Sequence, residues 1–145
     1  MNKVLKTVLI CLFIFAGSNG CKKDYNSVVP DIYVNFNFNP VNAIELNIPG
    51  GSYYIGNQGY GGIIIFRDLT DSSNPFTAYD ASCTYEISQT CRALDPEFSG
   101  VATCTCCGSQ FILFSSSGSP TKGPATQPLK QYRTSYSGGI INIRN

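Results

Sequence analysis

The stretch Cys104-Thr105-Cys106-Cys107-Gly108-Ser109-Gln110-Phe111 places three thiols and two hydroxyls within six residues. Cys83 and Cys91 precede it, so five cysteines fall in a 25-residue window, Cys83 to Cys107. Thiolates are soft donors. Brought together by a fold, they hold iron–sulfur clusters, Zn or Cu(I), and in an oxidising compartment they pair as disulfides. Five is odd: two disulfides leave one thiol over, and so do four metal ligands. The spacing is not the doubled Cys-x-x-Cys of zinc sites. The chain has no histidine, which removes imidazole ligands and any Ser-His-Asp triad. A reactive Cys107 would need a lowered pKa, and no histidine is there to lower it. Asp80, Glu86, Asp95 and Glu97 are read as solvated surface acids rather than as a catalytic pair.

The elements that must position these thiols are short strands. The chain has 145 residues, 43% hydrophobic and 13% charged, enough for one globular domain. Fourteen Gly, eight Pro, nine Phe and nine Tyr suit strands and turns. Net charge is +1, with no basic run beyond the N-terminus, so phosphate-driven binding of nucleic acid is not expected. Ile32, Val34, Phe36 and Phe38 alternate with Tyr33, Asn35 and Asn37, the period of a half-buried strand. Further strands are expected over Ala43–Ile48, Tyr53–Ile55, Ile63–Arg67, Phe76–Asp80, Phe111–Phe114, Leu129–Arg133 and Ile140–Ile143. Ile63–Arg67 is apolar on both faces, as a central strand would be. The glycine-rich Asn57–Gly62 lacks the Gly-Lys-Ser/Thr ending of a phosphate loop and reads as a hairpin turn. Residues 115–120 form another turn. No helical periodicity or internal repeat is present. The class is all-β, with small antiparallel sheets.

Residues 1–20 read as a targeting segment: Lys3 and Lys6, then the short apolar run Val8–Ala16, then Gly17-Ser18-Asn19-Gly20 before Cys21. This resembles a bacterial lipoprotein signal, with Ser18 where Leu is usual and Cys21 as the lipidated residue. Residues 21–30 form a tether and 31–145 the domain. The resemblance implies a lipid-anchored protein of the cell envelope, facing the periplasm or the surface, with the membrane as one partner and an envelope protein as another. No Arg-Arg pair precedes the apolar run, so export in the unfolded state is expected, without a preassembled cluster.

From Phe76 to Tyr132 the chain resembles the cluster-binding half of a Rieske iron–sulfur domain. Three motifs fall in order: Phe76–Tyr85, ending Cys83-Thr84-Tyr85; Cys104–Phe111; and Gly118 followed by Gly123-Pro124-Ala125 and Pro128-Leu129-x-x-Tyr132. The resemblance implies small antiparallel sheets with a two-loop tip that binds a 2Fe-2S cluster. Its ligand positions fall on Cys83, Tyr85, Cys104 and Cys107, and its hydrogen-bonding serine on Ser109. A Rieske cluster takes two cysteines on one iron and two histidines on the other. Here both histidine positions are changed, to Tyr85 and Cys107. Cys106 matches the family's additional cysteine, for which Cys91 is the candidate partner.

Three uses of the cysteines follow. The first is structural: Cys83–Cys104 and Cys91–Cys106 disulfides clip the two loops, although sequence alone does not separate the three possible pairings. The second is a cluster held by Cys83, Cys104 and Cys107 with Tyr85 or Cys91, making a low-potential electron carrier. The third is a mononuclear Zn or Cu(I) site, or a redox-active thiol site, on Cys83, Cys104, Cys106 and Cys107. The first gives the expected function: a non-enzymatic structural or interaction module with a degenerate cluster site.

Overall fold

The computed structural model describes residues 27–70, 72–95 and 97–145. The targeting segment, Cys21 and most of the tether lie outside the described residues. No helix among the described residues is long and apolar enough to cross a membrane.

Ten strands form two antiparallel sheets. In chain order they are β1 (Asn35–Phe38), β2 (Ser52–Ile55), β3 (Ile63–Arg67), β4 (Phe76–Asp80), β5 (Ala93–Leu94), β6 (Val101–Cys104), β7 (Gln110–Ile112), β8 (Pro120–Lys122), β9 (Gln131–Ser137) and β10 (Ile140–Arg144). The base sheet runs β1-β10-β9-β4-β3-β2 and the tip sheet β5-β6-β7-β8. Only three short 3-10 turns interrupt the strands among the described residues. The fold is all-β, as the sequence implies.

β3 is apolar on both faces because it lies between two cores. Ile63 and Ile65 pack with Val34, Leu46, Phe76, Ala78, Tyr132, Ile141 and Ile143. Ile64 and Phe66 point the other way, to Tyr79, Ala93, Ala102, Phe111 and Leu113. β4 alternates in step, Ala78 on one side and Tyr79 on the other. Leaving β4, the chain delivers Ala81 and Cys83 to the tip-side core. The central strands thus sit between the two cores and lead into the first cysteine loop.

Ala43–Ile48 is not a strand. Pro40–Asn42 and Ile44–Asn47 are consecutive 3-10 turns. Asn39 starts the first, its side chain accepting from Val41 N at 3.0 Å. Residues three apart share a side in such turns, so Ala43 and Leu46 are buried while Ile44 and Ile48 face solvent. The same apolar letters fit period two or period three, and packing selects the second. β1 is shorter than its alternation suggests: it starts at Asn35, and Ile32 is exposed. The strand expected over Phe111–Phe114 ends at Ile112, with Phe114 in a 3-10 turn. β5, β6 and β8 carry no clear periodic signal, and the sequence does not announce them.

Two of the four acids expected at the surface are buried. Asp80, fully enclosed, accepts hydrogen bonds from Tyr60 N (2.8 Å), Gly61 N (3.0 Å), Ser82 N (2.9 Å) and the Tyr132 hydroxyl (2.8 Å). Asp95 accepts from Ser99 N (2.9 Å), Ser99 Oγ (3.0 Å) and Gly100 N (2.8 Å). Burial is tolerated because N–H and O–H donors replace the lost water. At the N-terminal side Val29 is buried, and Lys130 Nζ bonds Asp31 Oδ1 at 2.6 Å, holding the Asp31 carboxyl below its usual range.

Candidate functional site

Two loops meet at the far end of the tip sheet. The first spans residues 81–92. Its ends are held together by Ala93 N to Ala81 O (2.7 Å) and Cys83 N to Cys91 O (2.9 Å). The second, between β6 and β7, is a tight hairpin closed by Cys104 N to Ser109 O (2.8 Å) and Gly108 N to Cys104 O (3.1 Å). Thr105 N to Arg92 O (2.9 Å) ties one loop to the other.

The hairpin divides its cysteines. Cys104 is buried and Cys107 half-buried, both packed at the tip-side core, while Cys106 is exposed. Cys106 bonds Cys91 across the loops, with Cα atoms 5.3 Å apart, an ordinary span for a disulfide. The second expected bond, Cys83–Cys104, is not formed. Cys83, Cys104 and Cys107 carry free thiols, and their sulfurs lie within 4.8 Å of one another. Cys83 Sγ and Cys107 Sγ are 3.6 Å apart. The three thiols form one cluster, and none has an exclusive partner.

Ser109 organises this cluster. Its Oγ accepts from Ala125 N at 3.1 Å, seating the Gly123-Pro124-Ala125 loop, and lies 3.1 Å from Cys107 Sγ. With one lone pair so engaged, the hydroxyl proton is free to point at the sulfur. The glycine is required here: Gly123 has φ +92°, and a Cβ on it would sit 2.6 Å from Ser109 Cα.

The thiols differ electrostatically. Burial chiefly raises Cys83, to about 12, with the neighbouring Cys104 and Cys107 adding to the rise. At Cys107 burial also pushes upward. The Ser109 hydroxyl and N–H, with the Cys83 and Cys104 thiols, together outweigh it and hold the group below its ordinary value. The expectation that only a histidine could lower Cys107 is therefore corrected: hydrogen bonds to sulfur do it.

Tyr85 does not share this environment. It is 57% exposed, whereas Cys83, two residues before it, is fully buried. Glu86 lies near Cys91 and Cys106, but both sulfurs are committed to the disulfide. Clefts of about 570 and 800 Å³ lie elsewhere and are lined by no cysteine. The Asp80–Tyr132 bond beneath the first loop escapes a reading of the sequence; an acid ending the apolar strand Phe76–Asp80 is its one signal.

A Rieske cluster does not fit this donor set. Its second iron needs two imidazoles. The chain has none, and the two positions hold an exposed phenol and a thiol already grouped with Cys83 and Cys104.

No family model matches the sequence, and no curated protein matches it. Solved structures do. The plasma membrane Rieske protein of the cyanobacterium Synechocystis is 22% identical over 79% of this chain and 100% of its own, with a TM-score of 0.54. The ferredoxin of carbazole 1,9a-dioxygenase from Nocardioides aromaticivorans is 18% identical over 79% and 98%, with a TM-score of 0.53. A chain of a hyperthermophilic respiratory Complex III is 15% identical over 95% and 94%, with a TM-score of 0.50. The likeness is one of fold. By fold, the chain is a Rieske-like domain.

Proposed function

We propose that the protein is an exported, lipid-anchored Rieske-like module of the bacterial cell envelope that acts by binding a partner protein rather than by catalysis. Cys21 is the lipidated residue and residues 21–30 the tether. One observation carries the reading: the tip keeps its architecture without the imidazoles. The Cys91–Cys106 bond and the Ser109–Ala125 seat are present, while the histidine positions hold Tyr85 and Cys107. What remains is a braced tip with Tyr85 and Ile87 exposed on its first loop, a surface suited to docking. Two of the similar structures are named as components of larger systems, a dioxygenase and a respiratory complex, which supports a partner protein here.

Fatty-acid labelling in the native host tests the anchor. Label on the wild type and none on Cys21→Ala, with that variant released from the membrane, is the expected result. Unchanged labelling of Cys21→Ala would remove the anchor from the reading.

A second reading is favoured by a specific observation, the three unpaired, convergent thiols. It makes the protein a 2Fe-2S electron carrier with non-histidine ligands, near roughly −400 mV if ligation is all-cysteine. It requires Tyr85 or a reduced Cys91 as fourth ligand. Visible absorption that bleaches on reduction, with an EPR signal, would establish it.

A further inference from the structure

We propose that Cys83, Cys104 and Cys107 form a three-thiolate site for a single soft cation, Cu(I). This rests on the reading that no iron–sulfur cluster occupies the tip.

The argument is one of size and donor count. A metal–sulfur bond is about 2.3 Å, so thiolates around one ion lie roughly 3.8–4.0 Å apart in tetrahedral or trigonal geometry. The three sulfurs here are all within 4.8 Å of each other, with Cys83 Sγ and Cys107 Sγ at 3.6 Å. Small side-chain adjustments bring them onto one ion. Among the described residues no carboxylate or imidazole joins the three, and the remaining cysteines of the tip, Cys91 and Cys106, are bonded to each other. Three sulfurs complete the shell of Cu(I), whereas Zn seeks a fourth donor. Cys83 and Cys104 are walled off from water. Ser109 Oγ, 3.1 Å from Cys107 Sγ, is placed to donate to a bound thiolate. An oxidising compartment joins neighbouring thiols by default, and a bound soft ion keeps all three as ligands. Binding changes no oxidation state: each thiol that becomes a ligand passes its proton to solvent.

The test is anaerobic Cu(I) titration of the full-length protein, extracted from its own membrane in detergent, against a chromogenic Cu(I) chelator. X-ray absorption reads the ligands. The expected result is about one Cu(I) per chain with three sulfur neighbours. Cys107→Ser, at the half-buried position, should weaken binding more than about 100-fold, beyond the usual effect of an outer-shell change. Tyr85→Phe should leave it unchanged. Tight Zn(II) binding with weaker Cu(I), no loss in Cys107→Ser, or a disulfide among the three in protein from the native envelope would each overturn the proposal. Iron-free protein that ignores Cu(I) defeats this inference alone. Two irons and two sulfides per chain defeat it together with the cluster-free reading.

Discussion

Cys83 and Cys107 hold their sulfurs 3.6 Å apart across the two tip loops, in hydrogen-bond contact but with no disulfide between them. One thiol is raised by burial and the other lowered by its hydrogen bonds. The pair is therefore asymmetric. At neutral pH Cys107 carries the greater thiolate fraction and the greater access to solvent.

Alkylation should follow that asymmetry. In native, metal-free protein at about pH 8, iodoacetamide should modify Cys107 first, leaving Cys83 and Cys104 until the chain unfolds. Peptide mapping by mass spectrometry reads the order. Equal labelling of all three would contradict it. Ser109→Ala removes a donor to the Cys107 sulfur, so the pH at which Cys107 becomes reactive should move up.

The Cys91–Cys106 bond closes residues 15 apart in sequence. A loop of that length implies about 3 kcal/mol of stabilisation, mainly through restriction of the unfolded chain. The double change Cys91→Ser, Cys106→Ser should lower the unfolding free energy by about that much in urea titrations. A loss well under about 1 kcal/mol would mean the backbone bonds between the loops suffice.

Alkaline pH should weaken the fold. Burial raises Cys83 from 9.0 to about 12 and Tyr79 from 10.0 to about 12, and raises Tyr132, where the Asp80 carboxylate adds to burial. All three are neutral when protonated. The folded state keeps protons that the unfolded chain releases above its ordinary values. Their stabilisation is fully present below about pH 9 and is lost as pH rises towards about 12. Urea midpoints should fall steadily between about pH 9 and 11. A flat profile would contradict the burial of these groups.

Two loop glycines separate backbone strain from close packing. Gly108 has φ +71°, and a side-chain carbon added there would meet nothing within 4 Å, while Gly123 at φ +92° would drive one into Ser109. Gly108→Ala should cost about 1 kcal/mol, the penalty of positive φ alone. Gly123→Ala adds the clash and should cost about 2–4 kcal/mol, unseating Ala125 from Ser109. Equal costs would mean the third loop gives way without effect on the tip.

How much of this is written legibly in the sequence depends on how local the cause is. Ile63–Arg67 and Phe76–Asp80 read as strands because every residue contributes to the pattern. Ala43–Ile48 misleads because its apolar letters fit two periods, and only the burial of Ala43 beside Leu46, with Ile44 and Ile48 in solvent, decides between them. The burial of Asp80 is invisible because its donors come from Tyr60, Gly61, Ser82 and Tyr132, up to 52 residues away. The motif order points to the two-loop tip and to the positions of Cys83, Cys104, Cys107 and Ser109. It does not separate the cysteine pairings, because which sulfurs turn inward is decided by the hairpin between Cys104 and Ser109.

The central claim is that a Rieske-like tip persists here without its cluster. It is tested most directly by iron and acid-labile sulfide analysis of protein purified anaerobically from its native host. The account predicts colourless protein with far less than about one iron or sulfide per chain; about two of each would contradict it.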